Sequence, residues 1–332
     1  MNLSRTVLCS LIVVLLSLRW EGTLVGQGID ANSLQTTSLK PGIEGILNAF
    51  QRSPIVGLAD WHGLAQEEDF YAQLVSDPRF AKEVGNIVVE FGGAAQQATI
   101  DHYVAGEDVP YEKLRAVWTD TVGWLPTVTS VGYLNVFAQI REVNKRLPHS
   151  EQIHVWLGEP PIDWSKIQTS SDLTQIAQRD QYPAALIESE ILAKHKKALV
   201  IYGAIHFSGL DKLRSLVEQN YPQSFFVVMP YHGYPQKTDS AALEHSIQLW
   251  HEQSASSIPS VGPMLLVGKS FTAGADALLY LGPAISLTQS PVTPDLYLDE
   301  NFRREINRRS MILTGSPLRV EIPATSPTFL SK

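Results

Sequence analysis

Between residues 54 and 229, short runs of β-branched and apolar residues alternate with stretches of helical period, and this alternation most limits the fold open to the chain. The runs lie at 54–59, 86–90, 153–157, 198–202 and 224–229. Helical patterns fill the intervals at about 67–75, 94–103, 110–119, 134–147, 171–196 and 210–219. Strands that are apolar on both faces and separated by helices require cover on both sides, so they predict a mostly parallel sheet with right-handed crossovers. The expected fold class is α/β, a mostly parallel β-sheet flanked by helices, with an active crevice at the C-terminal strand ends. Residues 46–332 read as a single domain. Within it, 260–332 form a C-terminal extension packed on the sheet edge, with short strands at 264–267 and 277–281.

The chain has 332 residues, 44% of them apolar, which is enough for a full-sized core. With 26 basic against 34 acidic residues the formal charge is −8, and no basic face for nucleic acid is present. One cysteine excludes disulfide frameworks and CxxC zinc or redox sites. That cysteine, Cys9, lies in an apolar run over 7–18 that follows Arg5 and precedes small residues at Gly26 and Gly28. The pattern predicts a secretory signal peptide over 1–28, with an uncleaved anchor as the alternative. Residues 29–45 read as a linker. The mature chain is then an exported protein, periplasmic or secreted, with no thiol and no membrane span.

Several familiar signatures fail. The stretch from Gly262 to Ser270 has five apolar residues between its glycines where a phosphate loop has four, so it reads as a strand and turn. His251 and Glu252 lack the second histidine of a helical zinc site, and there is no Gly-x-Ser-x-Gly elbow.

What remains is position. Ligands of open parallel sheets bind outside the carboxyl ends of the strands. Four expected strands end there in ionisable residues: Asp60 and His62 after the first, Glu90 on the second, Glu159 after the third and His206 after the fourth. Two imidazoles and three carboxylates can therefore meet in one crevice. A histidine with a carboxylate can act as general base on water, the carboxylate orienting the ring. The same donors, His62, His206, Glu90 and Asp60, could instead ligate a divalent metal that acidifies water.

The residues from Val56 through Asp60 and His62 to Gly63, then Val88-Val-Glu90, then Asp101-His-Tyr103-Val-Ala-Gly106, resemble the N-terminal part of the erythromycin esterases. Arg179-Asp180 before a helix, and Gly203-Ala-Ile-His206 after a strand, resemble the wider group of Tiki, TraB and ChaN-like haem-uptake proteins. The resemblance spans about residues 50–235. It implies His62 as general base or ligand, Glu90 as its carboxylate partner and His206 as a second essential imidazole. It also implies Arg179 as a group that binds substrate or orients a carboxylate. The chain departs from the esterases at Ala59, where they carry glutamate, whereas Asp60 matches the acid of the haem-uptake group.

These observations lead to an expected hydrolase of an ester or amide bond in a small molecule or peptide. His62, Glu90, His206 and Asp60 are its catalytic set, and Arg179 and Glu159 are placed at the substrate. The alternative is a ChaN-like carrier of haem or metal without turnover, with the imidazoles as ligands. A degenerate member with a structural role is a third reading. Asp101 and His102 read as a solvated helix face, Trp61, Trp118 and Trp124 as packing, and the cations of 194–197 as a helix C-terminus. His232 is a further strand-end candidate, while Asp276 and Tyr280 have no argument beyond residue type.

Overall fold

The computed structural model describes residues 38–123, 128–231, 245, 264–267, 275–282 and 286–318. Its centre is an eight-stranded sheet of order β1-β7-β8-β6-β2-β5-β3-β4. The inner strands are β2 (Ile55–Asp60), β3 (Asn86–Gly93), β5 (Ala198–Gly203) and β6 (Phe225–Tyr231). With β4 (His154–Glu159) and β8 (Ala277–Tyr280) they make six neighbouring parallel strands. β7 (Met264–Val267) runs antiparallel to β8, and β1 (Ser38–Pro41) antiparallel to β7. Every residue of β2, β3 and β5 is buried, as their continuous apolar runs predict.

The period of two along each strand divides the core into two layers. Val56 and Leu58 of β2, Ile87, Val89 and Phe91 of β3, and Leu199 and Ile201 of β5 face one layer. It is closed by α1 (Gly42–Ala49), α2 (Ala65–Ser76), α4 (Gln97–Val104), α5 (Tyr111–Thr119) and α6 (Gly132–Asn144), with α3 (Pro78–Glu83) following α2. Ile55 and Ala59, Val88, and Ala198, Val200 and Tyr202 face the other layer, closed by α7 (Gln181–Leu186) and α8 (Leu213–Asn220). Continuing the period, Asp60 points toward α2 and α6, and Glu90 toward the α7 side.

Three sequence expectations change. The long helix over 171–196 is not continuous: 3-10 turns occupy Ser170–Asp172 and Thr174–Gln178, and α7 starts only at Gln181. Pro183 accounts for the late start. It has no N–H to give an earlier turn, and in the first turn of α7 none is needed. A π-turn at Ile187–Ile191 follows, and His195 ends the segment in the left-handed region. The linker expected over 29–45 is already structured from Ser38, because β1 pairs with β7 and α1 buries Ile46 and Leu47 in the core. The tail is more than an edge extension, since β7 and β8 lie within the sheet. The last described helix, α9 (Glu300–Thr314), packs near the segment after β4, where Arg308 binds the Trp164 and Ile167 carbonyls and Arg309 the Thr119 carbonyl and Asp120. The expected signal peptide, His232, Trp124 and His251 fall outside the described residues. Among the described residues no helix is long and apolar enough to cross a membrane.

Gly158 in β4 has no room for a side chain, because a Cβ there would overlap the hydroxyl of buried Tyr202. Gly158→Ala is therefore expected to cost about 1–3 kcal/mol by overpacking. In thermal unfolding this appears as a drop of several degrees, smaller in a Tyr202→Phe background. An unchanged midpoint would contradict the close approach.

Candidate active site

The parallel strands bring Glu90 to the middle of a ring of charges. Its side chain is 2% exposed, and its Oε2 accepts the Gly203 N–H at 2.6 Å, a bond made possible by the adjacency of β3 and β5. Its Oε1 accepts from the Arg179 guanidinium. His206 Nε2 stands 3.5 Å from Oε1 and His62 Nε2 3.8 Å from Oε2. Both imidazoles thus present Nε2 to the two oxygens of one carboxylate. Gly203 leaves the space for this, since a Cβ there would lie 3.0 Å from His62 Nε2 and 3.3 Å from Glu90 Oε2.

Behind each ring lies an aspartate. His62 Nδ1 pairs with Asp60 Oδ2 at 2.8 Å, and His206 Nδ1 with Asp180 Oδ1 at 2.7 Å. Asp60 is held by two phenols, Tyr71 on Oδ1 at 2.9 Å and Tyr133 on Oδ2 at 2.6 Å. Asp180 is held by the Leu213 N–H at 2.9 Å and by Lys212 at 3.2 Å. His62 is the more open of the two, with a fifth of its side chain exposed. His206 is buried.

The charges reinforce one another. Burial alone would raise the Glu90 pKa, but the cationic His206 and His62, and Arg179 after them, hold it well below the usual carboxylate range. Burial likewise works against both imidazolium ions. The Glu90 charge and the aspartate behind each ring outweigh it, and both pKa values rise to about 9. Asp180 is lowered against its own burial by its bond to His206. At neutral pH the resting site therefore holds two imidazolium ions clasping an ionised glutamate.

Of Arg179 and Glu159, both expected at the substrate, Glu159 is internal, whereas Arg179 keeps 23% of its side chain exposed. Glu159 is fully buried, and its Oε1 accepts Arg179 Nε at 2.8 Å while its Oε2 has no partner among the described residues. Burial raises its pKa to about 7, even with Arg179 beside it. Arg179 bonds Glu159 through Nε and Glu90 through Nη2, so it braces two carboxylates. The structure thus gathers Asp60, His62, Glu90, Arg179, Glu159 and His206 at one edge, in two shells.

Residues the sequence reading left without a role complete the set. Asp180 lies in the Arg-Asp pair, but only the break before α7 aims it at His206. Tyr71, Tyr133 and Glu67, whose Oε2 accepts the Trp61 N–H at 2.8 Å, arrive from helices, where they read as packing or solvated residues. Glu67 and Glu68 are both buried; burial chiefly raises their pKa values, that of Glu68 to about 7. Elsewhere, Asp276 accepts the Val227 N–H on β6, Tyr280 stacks on Tyr231, and His102 pairs with Glu107 on an exposed face.

Both Nδ1 atoms bond aspartates, which leaves both Nε2 atoms turned toward Glu90, whose two oxygens accept hydrogen bonds. Among the described residues no group of three or more His, Cys, Asp or Glu is arranged to hold a metal ion.

No family model and no curated protein matches the chain. It is similar to three solved structures. A Bacillus cereus protein shares 12% identity at a TM-score of 0.45, over 79% of this chain and 98% of that one. The type III effector HopBA1 shares 11% at 0.42, over 73% and 96%. ChaN of Campylobacter jejuni, a structure of cofacial haem binding, shares 10% at 0.36, over 71% and 90%. At these values the likeness assigns neither activity nor ligand.

The raised imidazole pKa values carry a consequence for stability. A histidine whose folded pKa exceeds its unfolded value of 6.5 stabilises the fold fully below 6.5, and that contribution is lost as pH rises through about 9. The urea midpoint is expected to fall between pH 7 and 10, and less steeply in His206→Gln. A midpoint level across that range would contradict the ion cluster.

Proposed function

We propose that this crevice hydrolyses an ester or amide bond by general acid and base catalysis between its two imidazoles. The observation that carries the reading is the pair of His–Asp dyads facing one buried glutamate. Such a pair can take a proton from water on one side and deliver one to a leaving group on the other. His62, the more exposed ring, is the base. Asp60 fixes its tautomer and stabilises the imidazolium that forms, as in other carboxylate–histidine pairs. His206, backed by Asp180 with Lys212 behind it, is the acid that protonates the leaving oxygen or nitrogen. Glu90 stays ionised between them and holds both rings, while Arg179 and Gly203 keep it in place.

With both pKa values near 9, only about 1% of His62 is neutral at pH 7. The base form and the acid form are therefore present together mainly around pH 9. The rate constant kcat/KM is expected to follow a bell centred there, its limbs belonging to the coupled pair and not to either ring alone. A screen of aryl esters and amides, followed by pH profiles, checks this. His62→Ala and His206→Ala are each expected to lose about 10²–10⁴-fold of the activity found. Folded variants that retain full turnover would overturn the mechanism.

Export remains an expectation from residues 1–28, and it joins this reading as a proposal. The hydrolase would then act outside the cytoplasm. It would use only imidazole, carboxylate and water, because the mature chain would keep no cysteine.

A further inference from the structure

The geometry points to Tyr71 and Tyr133 as positioning residues that lock Asp60, and through it the catalytic face of His62; as a statement about turnover this rests on the hydrolase reading above. Asp60 accepts three hydrogen bonds from three directions. Tyr71 of α2 gives to Oδ1 at 2.9 Å, while Tyr133 of α6 at 2.6 Å and His62 Nδ1 at 2.8 Å both meet Oδ2. Both phenols are completely buried, and a buried hydroxyl needs a partner. They therefore hold the carboxylate as firmly as the helices hold them.

The helices themselves are tied to the same spot. Glu67 of α2 accepts the Trp61 N–H, so the backbone between Asp60 and His62 is fixed from the same helix that carries Tyr71. Ser130, just before α6, donates to Glu68 of α2 at 2.6 Å and accepts the Gly132 N–H at 3.1 Å. This clamps the start of α6 to α2, and Phe91 of β3 stacks on Tyr133 at 4.1 Å between centroids. With Asp60 immobile, rotation of the His62 ring breaks its Nδ1 bond, so Nε2 stays aimed at the crevice. The other dyad is built differently: Asp180 is steadied by a backbone N–H and by Lys212, and among the described residues no phenol bonds to it.

Removing one phenol should loosen the His62 ring and leave the His206 ring alone. The ring N–H protons of the full chain can be observed by NMR with labelled histidine, the His62 signal being assigned by its loss in His62→Gln. In Tyr133→Phe, and separately in Tyr71→Phe, the His62 Nδ1–H resonance is expected to shift and broaden while that of His206 stays put. With an ester that is turned over, kcat is expected to fall about tenfold or more with KM nearly unchanged, because the loss is one of orientation and not of binding. A His62 resonance unchanged in position and width in both variants overturns the proposal, even if hydrolysis is found. If the resonance moves but no ester or amide is hydrolysed by the wild type, the lock stands and the hydrolase reading falls.

Discussion

A buried glutamate carrying a full negative charge is the constraint on which the rest of this molecule depends. A carboxylate taken out of water costs several kcal/mol unless charges and hydrogen bonds replace the lost hydration. Glu90 receives them from Arg179, the Gly203 N–H and two imidazolium rings. Arg179 and the two rings are paired in turn with Glu159, Asp60 and Asp180. The need for compensation thus spreads outward shell by shell until it reaches neutral phenols on one side and the partly exposed Lys212 on the other.

The parallel sheet makes such a cluster affordable in space. Its strands all deliver their carboxyl ends to one edge, and their alternation decides which layer each side chain enters. Asp60 turns toward α2 and α6, and Glu90 toward the α7 side, because each continues the period of the apolar residues before it. The acid–base reading follows from that division. One histidine is supported from each layer, and the two meet at the glutamate between.

Much of this was legible in the chain. The buried strands are apolar runs with turn residues after them, so Asp60, His62, Glu90, Glu159 and His206 could be placed at one edge from the polarity of a parallel sheet alone. What could not be read were the groups that arrive from elsewhere in the fold. Tyr71 and Tyr133 sit at buried helical positions, where a tyrosine looks the same whether its hydroxyl meets a carboxylate or only fills space. Asp180 depends on the helix break ahead of Pro183, which the apolar period over 171–196 conceals. Glu159 was placed at the right edge, but at the wrong depth. Sequence gives the end of a strand, whereas burial is decided by the loops and helices that close over it. The strands β7 and β8 were seen as segments, but their entry into the sheet rests on long-range pairing that no local pattern encodes.

One carboxylate holds both imidazoles in their cationic form. NMR titration of His62 and His206 in Glu90→Gln, which keeps the shape and removes the charge, tests it most directly. Both midpoints are expected to drop together from about 9 toward or below 6.5, since burial then acts with less opposition. Midpoints that stay near 9 in the variant would contradict it.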